Sequence, residues 1–236
     1  MKRSEINAIM RQAIAFLDRQ QFHLPPFAYW PPDDWRARGP EVAEIVENGL
    51  GWDITDFGRG DFPRLGLFLF TLRNGHPRNL ETMTGKLYAE KIMIVREGQL
   101  TPLHFHRQKM EDIIVRGGGN LLLRLYNASE DGTRLLDTAV SVSLDGVRTT
   151  VPAGSVVTLR PGESITLEQR MYHEFWGEPG QGTVLVGEVS MVNDDRTDNR
   201  FLDPVGRFPA IEEDEPPLYL LCTDYPAYYR PQNAQE

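Results

Sequence analysis

Short apolar runs separated by Gly, Asn and Asp fill the chain from Gly51 to Asn193. Such runs between turn-forming residues are typical of β-strands joined by tight turns. The segments predicted as strands are residues 53–56, 65–72, 91–96, 100–106, 112–116, 120–127, 139–144, 147–151, 155–159, 164–167, 171–176 and 183–192. Strands that follow one another without intervening helices indicate a sandwich or a closed barrel rather than βαβ units. We therefore expect a barrel over residues 51–193.

Residues 1–50 are predicted to pack on this barrel. Apolar residues recur at helical spacing from Ile6 to Leu17, and Ser4 is a suitable N-cap for that helix. The proline-rich segment 24–32 is predicted to form an extended arm, because proline fixes φ and removes a backbone donor. We expect its aromatic side chains to cover the outside of the barrel rather than to line a pocket. Residues 40–48 suit a short helix that ends at the following glycine.

Residues 194–236 lack the strand pattern of the barrel. A polar loop is predicted over residues 194–200, and an edge strand is predicted over residues 218–221, after an acidic, proline-rich connection. The tail from Ala227 is predicted to be mobile. A length of 236 residues accommodates the barrel and these extensions as one domain.

Charge and composition narrow the classes of partner. A formal charge of −9 argues against binding to nucleic acid or to an anionic membrane surface. No apolar run approaches the ~20 residues of a membrane span, and the N-terminus begins an amphipathic helix rather than a signal peptide. The single cysteine, Cys222, can form no internal disulfide, which favours a reducing compartment. We therefore expect a cytoplasmic protein that binds a small neutral or polar ligand.

Three histidines and a glutamate have the spacing of a metal site. His104 and His106 alternate on one predicted strand, so both imidazoles point to the same face. Four residues then permit a tight reversal before Glu111 begins a strand that can pair beside the first. A third candidate, His173, lies in another apolar, aromatic run. These N and O donors suit Mn, Fe, Zn, Co or Ni with open coordination positions, and the lack of thiolates argues against a structural zinc site.

The stretch from Gly98 to Gly118 resembles the first motif of the cupin superfamily, G-x5-H-x-H-x4-E-x6-G. The second cupin motif is matched more loosely, because the gap before His173 is longer and Gly177 stands where Asn is usual. The resemblance implies a mainly β, cupin-type double-stranded β-helix (jelly-roll) barrel with an N-terminal helix and peripheral extensions. It also implies an interior divalent metal held by His104, His106, Glu111 and His173.

A closer resemblance, over nearly the whole chain, is to the bacterial D-lyxose isomerases. It is carried by the N-terminal helix and by residues 88–93, 104–112, 117–122, 172–177 and 187–190. Members of that family are cupin ketol-isomerases that interconvert D-lyxose with D-xylulose and D-mannose with D-fructose, generally with Mn²⁺. The resemblance implies this activity, a monosaccharide substrate and a preference for Mn²⁺.

Such an isomerisation needs an acid/base group that is near the metal but is not a ligand. Lys109 lies two residues before Glu111, and we expect burial and the cation to lower its pKa toward the working range. The alternative is a solvated lysine in a turn. Glu188 and Ser190 share one face of the predicted strand 183–192, so an inward face would bring Glu188 into the cavity as a general base or a hydroxyl-binding group.

Three further residues are predicted substrate contacts. Asp195 and Arg200 follow the strand of Glu188 in a polar loop, and Trp176 lies close to His173 as part of an apolar wall. A merely solvated loop and an ordinary barrel core are the alternatives. Two other functions remain open, an Fe(II)-dependent cupin dioxygenase and a non-catalytic sugar-binding cupin. A homodimer is also expected, with the N-terminal helix and the aromatic arm supplying apolar surface.

Overall fold

Two antiparallel sheets form a barrel in the computed structural model, which describes residues 1–231. The strands are β1 (Gly51–Thr55), β2 (Leu67–Arg73), β3 (Tyr88–Val95), β4 (Thr101–His106), β5 (Glu111–Gly118), β6 (Leu121–Ala128), β7 (Leu135–Leu136), β8 (Val140–Leu144), β9 (Val147–Val151), β10 (Val156–Leu159), β11 (Ser164–Leu167), β12 (Met171–Gly177), β13 (Val184–Met191) and β14 (Asn199–Phe201). The larger sheet has the order β1-β2-β3-β13-β5-β11-β8-β9, and the smaller has the order β10-β6-β12-β4-β14, with β7 paired to β6. The predicted mainly β, cupin-type fold is confirmed.

Helices lie outside the barrel. They are α1 (Arg3–Arg19), α2 (Pro32–Arg36), α3 (Ala43–Glu47), α4 (Arg78–Thr82) and α5 (Tyr225–Tyr228), with 3₁₀ turns at Pro26–Tyr29 and Pro40–Val42. The short helix predicted over residues 40–48 is thus a 3₁₀ turn followed by α3, and Gly49 ends it at a φ of +62°. Within residues 1–231, no helix is both long enough and apolar enough to cross a bilayer.

The strands β2, β3 and β13 are buried on both faces, which explains their almost continuous apolar sequences. Inward side chains such as Leu69, Met93 and Val186 belong to the core between the two sheets. Outward side chains such as Phe68 and Phe70 belong to a second core, which they form with the apolar stripe of α1. Full burial of a side chain of this size contributes about 1.5–3 kcal/mol relative to exposure. The predicted stripe of α1 therefore holds that helix on the outer face of the larger sheet.

Within residues 51–193, each run predicted as a strand overlaps one, with ends displaced by at most three residues. The strand predicted over residues 218–221 is wrong. Leu221 makes one isolated bridge to Trp52, and its N–H donates to Asp224 Oδ2 at 2.9 Å, which turns the chain toward α5. The predicted loop 194–200 is also wrong at its end, because β14 pairs there with β4. A three-residue strand among polar residues carries too little alternation to be recognised.

The N-terminal segments differ from the prediction in two respects. The proline-rich arm is extended only in part, because residues 26–29 form a 3₁₀ turn and Pro32 begins α2; the φ of proline also suits the first position of a helix. Its aromatic residues nevertheless cover the outside of the barrel as predicted, and the ring of Phe27 lies 5.5 Å from that of Phe70. Ser4 lies inside α1, and its N–H and Oγ donate to Asp214 at 2.9 and 2.6 Å. A residue distant in sequence therefore supplies the acceptors at this helix end.

The predicted mobile tail is only partly described. Ala227 belongs to α5, whose Tyr225 hydroxyl donates to the Leu50 carbonyl at 2.7 Å. Residues 232–236 lie outside the described residues. The beginning of the predicted tail therefore packs against the rest of the protein, which the prediction of a mobile tail did not anticipate.

Candidate metal centre and active site

Three histidines meet inside the barrel because β4 and β12 are neighbours in the smaller sheet. His104 is paired in register with His173, and His106 follows on the same face of β4. The ring of His104 lies 5.2 Å from that of His106 and 4.2 Å from that of His173. One nitrogen of each residue lies within 4.8 Å of the other two. The three predicted ligands are thus placed where one divalent ion can contact all of them.

Backbone carbonyls set the orientation of two of these imidazoles. His104 Nδ1 lies 2.7 Å from the Pro102 carbonyl, and His173 Nδ1 lies 3.0 Å from the Met171 carbonyl. A proton on each Nδ1 leaves Nε2 with a free lone pair. Among residues 1–231, the buried His173 Nε2 has no hydrogen-bond partner. An unpaired buried acceptor is unfavourable unless a ligand satisfies it, and a metal ion does so.

The imidazoles of His104 and His106 are held in their uncharged, metal-binding form. Burial lowers the pKa of His104 well below its ordinary value of 6.5, and the neighbouring His173 and His106 add to the effect. Burial also lowers the pKa of His106, although Glu111 opposes it. Because metal ions bind neutral imidazole, these residues need lose no proton to bind an ion near neutral pH.

The predicted pairing of the Glu111 strand beside the strand of His104 and His106 is wrong, because β5 belongs to the larger sheet and pairs with β11 and β13. Glu111, at the start of β5, therefore faces the histidines from the opposite sheet. Its carboxylate oxygens lie 3.3 Å from His106 Nε2 and 3.3 Å from His173 Nε2. Burial would raise the pKa of this carboxyl, but the Lys109 ammonium, 2.7 Å from Oε2, helps to hold it well below its usual value. The ionised carboxylate is therefore positioned to complete a set of three nitrogen ligands and one oxygen ligand.

Lys109 points into the barrel and is only 2% exposed, so it is not a solvated turn lysine. Its ammonium lies 2.7 Å from Glu111 Oε2 and 2.7 Å from Glu188 Oε1. Burial, the largest influence, lowers the pKa of Lys109, but Glu111 and Glu188 outweigh it and raise the pKa above the ordinary lysine value. The prediction of a lowered pKa considered burial and a cation but not these two carboxylates, which act in the opposite direction to burial.

Glu188 lies on the inward face of β13 and reaches the same cavity. Lys91, which is opposite Glu188 on β3, places its Nζ 3.2 Å from Glu188 Oε1 and 2.6 Å from Asn193 Oδ1. Lys91 is missing from the predicted site. It lies on the same face of β3 as Met93 and Val95. A charged residue at an inward position of an apolar strand is the signal that would have identified it.

The mouth of the cavity contains a second group of buried charges. Asp195 Oδ2 accepts from Arg207 Nη2 at 3.0 Å, and Arg207 also binds Asp53 at 2.6 and 3.2 Å. Burial would raise the pKa of Asp195, but Arg207, followed by Lys91, holds it well below its usual value. Of these residues, only Asp195 was predicted. Arg207 was missed because its segment has no regular structure and thus no sequence periodicity.

Two predicted substrate contacts point away from the cavity. Trp176 alternates with His173 and Phe175 on β12, so its ring lies on the outer face, where it meets the Arg124 guanidinium at 5.3 Å. Arg200 alternates with two cavity residues on β14, and its Nε donates to the Gly132 carbonyl at 2.7 Å. The strand parity of both residues excludes direct contact with a sugar beside the histidines.

Buried charge at the site favours a cation. Within the described residues 1–231, five carboxylates and three cationic side chains are grouped here, namely Asp53, Glu111, Glu188, Asp195 and Asp198 with Lys91, Lys109 and Arg207. The excess is two negative charges. Uncompensated charge is unfavourable in a low-dielectric interior, and a divalent cation would balance it.

Two cavities meet at Asp195. The inner one, beside the histidines, has a volume of about 40 Å³ and apolar walls that include Phe175 and Phe201. The outer one has a volume of about 440 Å³ and polar walls that include Asn48 and Thr71. Asp53 and Asp195 line both cavities, so they form part of the partition between them.

Comparisons with known proteins agree on a family. The sequence model of the D-lyxose isomerase family matches residues 1–225. The D-lyxose/D-mannose isomerase of Serratia proteamaculans is 55% identical over 227 residues, which span 95% of this chain and 98% of the relative. The enzyme of the same name from Escherichia coli O157:H7 is 49% identical over 226 residues, with coverage of 95% and 98%.

Solved structures support the fold. The L-ribose isomerase of Acinetobacter sp. DL28 in complex with L-ribose has a TM-score of 0.60 at 18% identity, and the alignment covers 90% of this chain and 98% of that one. The L-ribose isomerase of Geodermatophilus obscurus has a TM-score of 0.59 at 17% identity with the same coverage. The match of the family model to residues 1–225, together with the two relatives, shows that this chain belongs to the D-lyxose isomerase family and is a sugar isomerase.

Proposed function

We propose that the protein is a metal-dependent aldose–ketose isomerase that interconverts D-lyxose with D-xylulose and D-mannose with D-fructose. The observation that carries this proposal is the buried Lys109–Glu188 ion pair, which lies beside the three-histidine cluster. A metal site alone suits many reactions, whereas an adjacent carboxylate and ammonium suit proton transfer next to a carbonyl. The choice of sugars is supported by the names of the two relatives, which are D-lyxose/D-mannose isomerases.

The proposed ligands of a divalent cation are His104, His106, Glu111 and His173. Their fit is supported by the unpaired His173 Nε2, by the neutral imidazoles of His104 and His106, and by the two excess negative charges. Mn²⁺ is the first choice, and Co²⁺, Zn²⁺, Fe²⁺ and Ni²⁺ suit the same donors. When bound, the cation supplies Lewis-acid stabilisation of the sugar oxygens on C1 and C2.

Glu188 is the proposed base. Its carboxylate takes the proton from C2 and returns it to C1 while the hydroxyl proton of O2 passes to O1, which converts the aldose into the ketose with no net change in atoms. The ammonium groups of Lys91 and Lys109 lie 3.2 and 2.7 Å from Glu188 Oε1, and they keep this carboxylate directed at the cavity. The base therefore keeps one orientation for both proton transfers.

Lys109 is proposed to remain charged. Its ammonium would donate a hydrogen bond to the sugar oxygen that gains negative charge as the C2 proton leaves. The carboxylates that raise its pKa favour this electrostatic role over repeated loss of its own proton.

Asp195 is proposed to accept hydrogen bonds from sugar hydroxyls at the cavity mouth. The sugar would reach the metal site from the outer cavity of about 440 Å³, whose wall includes Asp195.

An aldose panel tests this function. The protein is stripped of metal by chelation, supplied with Mn²⁺, Co²⁺, Zn²⁺ or Mg²⁺, and assayed for ketose formation from several aldoses, including D-lyxose and D-mannose. We expect turnover of both sugars, its loss after chelation, and its recovery with Mn²⁺. A lack of ketose with every metal and sugar would refute the proposal. Dioxygen uptake with Fe²⁺ in that case would indicate a dioxygenase, and metal-independent sugar binding would indicate a non-catalytic cupin.

We further propose that the chain acts in the cytoplasm as a homodimer. The N-terminal helix and the aromatic arm are buried against their own barrel, so they do not supply the expected apolar surface. The proposal rests mainly on Tyr88 and Val189, which are 46% and 39% exposed on the neighbouring strands β3 and β13, although Tyr29 of the arm is also 38% exposed. Light scattering should give about twice the chain mass of 26.9 kDa, and a mass near 26.9 kDa would refute the dimer.

A further inference from the structure

Arg207 lies in an irregular segment after β14, yet its side chain is only 11% exposed and joins two carboxylates at the mouth of the inner cavity. We propose that Arg207, anchored by Asp53, is a positioning residue that holds Asp195 where it binds the hydroxyls of the sugar. This inference rests on the proposed isomerase function. It adds two residues, Arg207 and Asp53, to that function.

The anchor is rigid. Asp53 lies on β1 opposite Leu69 of β2, so the sheet fixes its position. The Arg207 guanidinium donates to both Asp53 oxygens, from Nη1 at 3.2 Å and from Nη2 at 2.6 Å. Two parallel bonds between a planar guanidinium and a carboxylate fix direction as well as distance. The second N–H of Nη2 thereby points at Asp195 Oδ2, which lies 3.0 Å away.

Asp195 depends on this contact more than on its others. It lies in the connection between β13 and β14, where no strand ladder holds it. The Asn199 side chain donates to Asp195 Oδ1 at 3.2 Å, and the Lys91 ammonium is 4.0 Å from the same oxygen. Arg207 makes the shortest contact and binds the other oxygen. Oδ1, with its weaker contacts, is the oxygen left for a sugar hydroxyl.

A purely structural role for Arg207 predicts a different result, and the chain contains a matched control. Arg3 is another buried arginine that joins two carboxylates, Glu213 at 2.6 Å and Asp224 at 2.9 Å. It ties α1 to the C-terminal segment and does not line the inner cavity. Loss of Arg3 should therefore lower stability without changing sugar binding.

The test compares Arg207→Met, Arg207→Lys, Asp53→Asn and Arg3→Met in Mn²⁺-loaded protein, with D-lyxose as substrate. Removing a hydrogen bond to a charged group should raise KM about 10- to 100-fold in Arg207→Met, with kcat and metal content much less affected. In Arg207→Lys the rise in KM should be smaller, because lysine keeps the positive charge but lacks the planar guanidinium that makes two parallel hydrogen bonds. Asp53→Asn should raise KM by a smaller factor. It tests the same inference if Arg207→Met does not fold.

Two outcomes would overturn the inference. One is a KM within about twofold of wild type in folded Arg207→Met and Asp53→Asn, and the other is an equal rise in KM in Arg3→Met. In both cases the wild type still converts D-lyxose, so the proposed function stands. A wild type that forms no ketose removes the proposed function and this inference with it.

Discussion

Glu188→Gln is expected to lower kcat for D-lyxose by about 10²- to 10⁴-fold, the usual contribution of a general acid/base. The amide nearly matches the carboxylate in shape but cannot accept the C2 proton. Glu188 is not among the proposed ligands, so the Mn²⁺ content should stay close to that of wild type. Steady-state kinetics and metal analysis on the same preparation separate the two quantities. Exchange of the C2 hydrogen with deuterated solvent should fall together with kcat.

The matched control is Glu174→Gln. Glu174 lies on β12, one residue from His173, but its carboxylate faces outward and pairs with Arg124. Its loss should leave kcat nearly unchanged. If Glu188→Gln retains turnover comparable to Glu174→Gln while binding metal normally, Glu188 is not the base.

His173→Ala is expected to lower the affinity for Mn²⁺ by more than about 100-fold, since loss of an outer-shell partner alone typically costs 10- to 100-fold. His173 offers the buried Nε2 that has no hydrogen-bond partner among residues 1–231. Its removal leaves the ion one ligand short, and turnover at micromolar Mn²⁺ should be lost. Competition with a coloured chelator measures the affinity.

Thermal unfolding gives a second measurement of the same change. An ion at a concentration 100 times its Kd stabilises the protein by about 2.7 kcal/mol, so added Mn²⁺ should raise the Tm of wild type but not of His173→Ala. His23→Ala is the control, because His23 is exposed and lies outside the cluster. An equal rise in Tm for His173→Ala and wild type would remove His173 from the ligand set.

Much of the barrel is predictable because strand alternation is a local property. Burial of most of the residues 65–72 and 183–192 makes those strands largely apolar, and this pattern is visible without knowledge of the partner strands. The same period of two places His104 and His106 on one face without knowledge of the partner strand. By contrast, residues 218–221 have the composition of a strand but meet β1 at a single bridge. Composition does not reveal whether a partner edge is available.

Strand alternation and the histidine motif predict the metal ligands of the candidate site, but they do not predict which other residues surround them. Trp176 and Arg200 are near ligands in sequence, yet alternation turns both side chains away from the cavity. Lys91 and Asp53 are inward residues of strands whose neighbours across the sheet are unknown before folding. Arg207 lies more than 100 residues from His104 in the chain and reaches the cavity mouth through an irregular segment. Nothing local marks it as part of a site.

The sequence by itself determined the succession of strands, the common face of His104 and His106, and the tight turn that returns Glu111 to them, because each depends on residues a few positions apart. Only the tertiary structure decided that Lys109 contacts two carboxylates, since Glu188 lies on another strand of the larger sheet. The direction of the Lys109 pKa depends on that contact, because charge interactions act through space rather than along the chain.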